Sequence, residues 1–354
     1  MTSKERVLTA FAHREPDRVP INYASNPGIH GRLEEHFAGR DLLEALGVDF
    51  RGVGVPYVGT RLHKERSGRR VDPEWGIHTR WIEHGSGGYW DFCDFPLADA
   101  DEEAVNAWPM SSPDDYDLSG VREHCRKNGG FAVYVGDPGL GDIINSTGFL
   151  CGMERVLEGL LEDDPAIIRL IDRRLAIKFE VARRTIEAAQ GGIDFMWLGE
   201  DLGSQNRPLI SLDLYRRHLR PRHQKLIDLA KSYRLPVMIH TCGSSSWVYE
   251  DFIEMGVTAV DTLQPEAKDM SPSYLKKRFG GRLAFHGCIS TAGPVAFGTP
   301  DQVTANIRET LEIMMPGGGY CLSPAHQLQD NSPPENVLAL YEAAHRYGRY
   351  GAGI

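Results

Sequence analysis

The 354 residues contain no apolar run approaching the length of a membrane span. The opening MTSKERVLTAF lacks the apolar stretch of a secretory signal; Thr2 and Glu5 instead have capping-box spacing ahead of Val7, Leu8 and Phe11. Cysteine is sparse, with residues at 93, 125, 151, 242, 288 and 321 that show none of the regular spacing of a disulfide-framed secreted domain. Free thiols in a reducing compartment are the simpler expectation, so the chain reads as cytoplasmic. Positive charge is in deficit: 39 Lys and Arg against 49 Asp and Glu give a net charge of −10. That excludes a broad nucleic-acid surface, which needs clustered cations. RLHKERSGRR (61–70) and YRRHLRPRHQK (215–225) are short and read as solvated faces. No glycine-rich phosphate loop follows a first strand, and GDPGLGD (136–142) is too broken by proline to be a dinucleotide fingerprint. Internal repeats and low-complexity segments are also missing.

What remains is ordinary globular composition, with 41% apolar and 25% charged residues. From about residue 130, short apolar strands alternate with longer helical patterns. Strands are expected at FAVYVGD (131–137), IDFMWLGED (193–201), PVMIHTC (236–242), TAVDTL (258–263), LAFHGC (283–288) and GYCLSP (319–324). Asp164-Pro165 opens a helix that Gly191-Gly192 closes, and Ser211 and Thr299-Pro300 open others. In Ser332-Pro333-Pro334-Glu335 the serine reads as an N-cap ahead of Val337, Leu338 and Tyr341. With an earlier strand at RVPINYA (18–24), this alternation predicts an α/β fold, a (β/α)8 TIM-type barrel. Residues 50–95, with WGIHTRWIEHGSGGYWDF, read as a hairpin insertion beside the barrel mouth, so that 1–354 forms a single barrel domain.

In a parallel barrel the chemistry sits at the carboxyl ends of the strands. Glu200 and Asp201 end one strand, His240 and Cys242 the next, His286 and Cys288 a later one, and His326 follows the last. His240 and Cys242 are two apart, so both side chains leave the same face of their strand. Imidazole nitrogen and thiolate sulfur are donors that zinc prefers, and a catalytic zinc needs three protein ligands and an open position. The plainer alternative is a hydrogen-bonded histidine beside a packed cysteine. Glu200 is the candidate for a fourth ligand or a general acid–base, with Asp201 holding the loop. Asn22 and Tyr23, Asp137, Asn145 and Gln205 are candidates for lining the substrate pocket, although Gln205 could equally belong to a capped turn.

Three runs carry a family resemblance: GEDLGSQNRPLISLDLYRRHLRPRHQKLIDLAKSYRLPVMIHTCGS, FIEMGVTAVDTLQPEAKDMSPSYLKKRFGGRLAFHG and GGGYCLSPAHQLQDNSPPENVLALYEAA. They resemble the uroporphyrinogen decarboxylase superfamily, and His-x-Cys-Gly at 240–243 is similar to its zinc-dependent, corrinoid-linked methyltransferases. True porphyrinogen decarboxylases carry an arginine-rich segment after the first strand. Here INYASNPGIHGRLEEHF (21–37) offers only Arg32. The methyltransferases place a second cysteine in the last strand–helix loop, where this chain has His326; Cys321 falls inside the strand and reads as core, and Cys288 could neighbour the site. The resemblance therefore implies one zinc per chain on His240, Cys242, His326 and Glu200, with Glu200 and His326 as catalytic groups. It implies methyl transfer between a small methylated substrate or thiol and a corrinoid. No Asp-x-His-x-x-Gly signature is present, so a separate corrinoid protein would supply that cofactor in trans. A homodimer is compatible with the fold. The alternatives are a metal-independent decarboxylase or lyase using His326 and Glu200 as proton donors, and a non-catalytic ligand-binding barrel.

Overall fold

The computed structural model describes residues 1–84 and 87–351. Ten strands follow one another among these residues: β1 (Phe50–Val53), β2 (Arg70–Val71), β3 (His78–His84), β4 (Gly87–Phe92), β5 (Ala132–Gly136), β6 (Phe195–Gly199), β7 (Val237–Thr241), β8 (Ala259–Thr262), β9 (Ala284–Ile289) and β10 (Tyr320–Pro324). Seven of them form one sheet in the order β1-β5-β6-β7-β8-β9-β10, every neighbouring pair parallel. Helices connect successive strands, as a parallel ladder requires.

The gap between β10 and β1 is bridged by the segment around Ile21. Ile21 pairs in parallel with Leu322, Asn22 N donates to the Leu322 carbonyl at 2.9 Å, and Leu322 N donates to the Pro20 carbonyl at 2.8 Å. On its other side, Asp49 N donates to the Ile21 carbonyl at 2.9 Å. The sheet thus curls into the expected TIM-like barrel. Its eighth stave is only a bridge, because Pro20 has no N–H to extend the ladder. Arg6 and Arg18 clamp the buried carboxylate of Asp49 at 2.6 and 2.8 Å, tying the N-terminal helix Ser3–Phe11 to this seam.

Rings fill the barrel interior. Phe50 meets Phe195 and His286 edge to face, and Tyr134 and Trp197 pack beside them. Strand alternation turns the intervening residues toward the helices.

Two details depart from expectation. Phe50–Val53 is a barrel strand paired with β5, so the insertion begins later than residue 50; Arg51 and Gly52 disguise the run as loop-like. The insertion itself is the antiparallel sheet β2-β3-β4, anchored by Phe92 stacked at 3.7 Å on Phe149 of helix Ile144–Cys151. The last helix runs Pro334–Tyr347 with Pro333, not Ser332, at its N-cap, and the buried Ser332 hydroxyl has no partner. Two consecutive prolines move the helix start one residue beyond the serine's reach. The caps at Thr2 and Thr299 form as expected, each as a complete capping box. Thr299→Ala is expected to lower stability by about 1 kcal/mol, read from urea denaturation midpoints. No helix of the described residues is long and apolar enough to cross a membrane.

Candidate metal centre

The register of the sheet sets His240 opposite Gly199 on one side and Asp261 on the other. Three strand ends therefore converge on one imidazole. Its Nδ1 lies 2.6 Å from Asp261 Oδ2 and 2.8 Å from the Thr262 hydroxyl. Its Nε2 faces Cys242 Sγ at 3.3 Å and Asp201 Oδ1 at 3.5 Å. With Nδ1–H donated to Asp261, Nε2 is the nitrogen left to coordinate.

Among the described residues, Asp201, His240 and Cys242 form a group whose ligand atoms all lie within 4.8 Å of one another. Zinc bonds of about 2.0–2.3 Å in a tetrahedral arrangement put donor atoms roughly 3.3–3.8 Å apart. The Nε2–Sγ and Nε2–Oδ1 distances already match that spacing. Nitrogen, sulfur and one carboxylate oxygen, all half-buried, are a donor set that fits a three-ligand zinc with an open position.

The carboxylates around the ring are held in turn. Asp201 accepts from Asn145 Nδ2 at 2.9 Å and from the Cys242 backbone N–H at 3.1 Å. The second oxygen of Asp261 contacts His286 Nδ1 at 2.5 Å, and His286 Nε2 lies 3.0 Å from Asn22 Nδ2. Asn22 Oδ1 is taken by the Tyr23 N–H, which points the amide NH2 at His286 and fixes that ring as an Nδ1–H donor. A continuous line of hydrogen bonds runs Asn22–His286–Asp261–His240.

Burial opposes charge on His240, yet its contacts with Asp201, Asp261 and Cys242 outweigh that and hold its pKa well above the usual value. Burial likewise opposes charge on Asp201 and Asp261, but the neighbouring imidazoles pull both well below the ordinary carboxylate range. The Cys242 thiol is pushed up by burial, only partly offset by His240. Without metal, a proton on the imidazole supplies the positive charge these carboxylates demand. That contribution to stability is complete below the ordinary imidazole pKa of 6.5 and is lost as pH rises through the higher folded value. In chelator, the gap in urea midpoint between wild type and His240→Gln is therefore expected to be widest near pH 6 and to shrink at alkaline pH. A gap constant with pH would contradict this electrostatic account.

Glu200 is placed differently from its expected role. Consecutive side chains leave a strand end on opposite faces, so Asp201 joins the cluster and Glu200 does not. Its two oxygens accept the backbone amides of Ile143 and Ile144 at 2.8 and 3.1 Å, and His223 Nε2 lies 3.3 Å away. Burial raises its pKa to about 8 against the pull of those amides, while burial drives His223 down to about 4. Glu200 thus clamps the β5–helix loop from behind. His326 is also outside the cluster. It is exposed on the loop after β10, 3.4 Å from Gln329, and lines a cavity of about 380 Å³ with Gln264, Glu266, Thr291 and Phe297.

The remaining candidates separate. Asn145 and Asn22 act through Asp201 and His286, as above. The Tyr23 hydroxyl is engaged by Ser25 at 2.6 Å and His30 at 3.3 Å. Gln205 braces two rim loops, bonding Gln264 at 2.9 Å and the Glu266 carbonyl at 2.9 Å. Asp137 lies outside the barrel wall, beyond the turn at Gly136, where φ is 86°. Cys288 and Cys321 are buried in the core. Asp261 has one signal in the sequence, an acid set among apolar neighbours in TAVDTL.

Comparison with known proteins finds one family model and several relatives. The family model described as "Uroporphyrinogen decarboxylase (URO-D)" matches residues 147–347. A uroporphyrinogen decarboxylase of Methylibium petroleiphilum is 27% identical over 124 residues, covering 34% of this chain and 32% of that protein. Another, from Thioalkalivibrio sulfidiphilus, is 25% identical over 194 residues, covering 54% and 52%. The chain thus spans about a third to a half of the length of these curated relatives. Among solved structures, a methyltransferase from Methanosarcina mazei shares the fold over 98% of this chain and 99% of its own, with a TM-score of 0.63 and 20% identity.

Proposed function

The chain belongs to the uroporphyrinogen decarboxylase family, and on that footing we propose that it is a zinc-dependent methyltransferase. It moves a methyl group between a small methylated substrate or thiol and a corrinoid carried by a partner protein. The observation that carries this reading is the mutual spacing of Asp201, His240 and Cys242 at the carboxyl ends of adjacent strands. Zinc held there would act as a Lewis acid on the heteroatom that loses the methyl group, or lower the pKa of a thiol that accepts one.

The chain's own residues prepare that position. Asp261 fixes the His240 ring and keeps Nε2 free. Asn145 and the Cys242 amide hold Asp201 in place. In this reading His326, which lines the rim cavity, supplies or removes a proton at the substrate.

Decarboxylation of a porphyrinogen finds less support. Arg32, the lone guanidinium of 21–37, is committed through Nη2 to the backbone carbonyls of Asp330 and Ser332 at 2.5 and 3.4 Å. Those bonds use only Nη2, so a single guanidinium stands where the resemblance leads one to expect an arginine-rich segment.

Two measurements test the reading. Elemental analysis of the purified protein should find about one zinc per chain. Methyl transfer to free reduced cobalamin should appear with at least one member of a panel of methoxylated, methylated-amine and thioether compounds. Metal-free protein that is fully folded, together with a silent panel, would end the proposal. His326→Ala is expected to keep its zinc while losing transfer; loss of zinc in that variant would put the imidazole among the ligands instead.

A further inference from the structure

A cavity of about 340 Å³ opens on the outer side of the barrel, between the ends of β1 and β5, the helix Pro165–Ala188 and the insertion. Phe50 and Tyr134 pack inside the barrel, so Val53 and Val135, at odd spacing from them, leave the opposite face and line this cavity. The barrel wall therefore stands between it and the metal cluster. Its size is within the range of small-molecule pockets, about 300–1,000 Å³.

Val53, Val55, Leu140 and Val181 provide apolar wall. Three charged groups interrupt it, each with bonding capacity left over. Lys178 Nζ donates one N–H to the Gly139 carbonyl at 2.6 Å, which leaves two. Glu74 accepts the hydroxyls of Tyr116 and Ser111 on the same oxygen, Oε1, leaving Oε2. Asp137, at the rim, uses Oδ1 for the Gly139 N–H at 2.6 Å, leaving Oδ2. Burial pushes the Lys178 pKa down to about 8 and raises that of Glu74, so both charged forms lack solvent.

We propose that this cavity is a second small-molecule site, built for a zwitterion of the amino-acid type. The ligand carboxylate pairs with Lys178, its ammonium with Glu74 and Asp137, and an aliphatic side chain lies against the valine and leucine wall. A simple anion would face two carboxylates, and a simple cation would face the lysine ammonium. Only a ligand carrying both charges complements all three groups.

Calorimetric titration of the full-length protein with L-alanine, L-valine, L-leucine and L-methionine tests this. At least one should bind, and 4-methylpentanoate and 3-methylbutylamine, which keep one charge each, should bind about 10–100-fold more weakly than leucine. Lys178→Met and Glu74→Gln should each weaken binding by a similar factor, and Val181→Phe should block it by filling the wall. Binding should persist in His240→Ala, which keeps this result independent of the metal centre. Silence from all four amino acids overturns the proposal. So does equal binding of the one-charge analogues, a comparison that needs no variant to fold.

Discussion

Replacing His240 with alanine or Cys242 with serine is expected to strip zinc from the purified protein and abolish methyl transfer while the barrel stays folded. The loss in zinc affinity should exceed the roughly 10–100-fold that removal of an outer partner costs, since a donor itself is removed. The fold should tolerate the change because both side chains are half-buried at a strand end and outside the packed ring layer. Serine keeps the size of Cys242 but offers zinc a hydroxyl in place of a thiolate, which isolates the chemistry from the packing. Competition with a chromogenic chelator measures the affinity, and circular dichroism checks the fold. Folded variants that bind zinc as tightly as wild type would remove the metal centre from consideration.

The second large effect is expected one layer back. Asp261→Asn should cost about 10–100-fold in zinc affinity or activity with the three donors intact. The Asp261 carboxylate accepts from both His240 and His286, at 2.6 and 2.5 Å, and so sets both rings at once. An amide in its place presents a donor to one of those nitrogens, which then has to turn or change tautomer. His286→Gln should reproduce a smaller part of the loss, because His286 reaches the metal ligand only through Asp261. Zinc-dependent activity equal to wild type in Asp261→Asn would mean that the ring is held by packing alone.

The barrel was legible because its evidence is local and repeated. Each of FAVYVGD, IDFMWLGED, PVMIHTC, TAVDTL, LAFHGC and GYCLSP became a parallel strand. Phe50–Val53 escaped notice because an arginine and a glycine in four residues resemble the start of a turn, and only pairing with β5 makes a strand of them. At the site, the spacing of His240 and Cys242 announced a pair of donors. The third could not be found by the same means. Glu200 and Asp201 are adjacent and chemically alike, and which one meets the imidazole depends on the face each side chain leaves.

From the amino-acid order alone came the alternation of strands and helices, the rim to which polar strand ends belong, and the His240–Cys242 pair. Those features depend on periodicity and on separations of a few residues, which backbone geometry fixes without reference to the rest of the chain. Tertiary structure decided that Asp201 rather than Glu200 or His326 stands beside that pair, that Asp261 and His286 support it, and that Asp137 lies beyond the wall. Those outcomes depend on sheet register and on contacts across tens or hundreds of residues, such as Asn22 with His286. Only the closed barrel brings such distant positions within bonding distance.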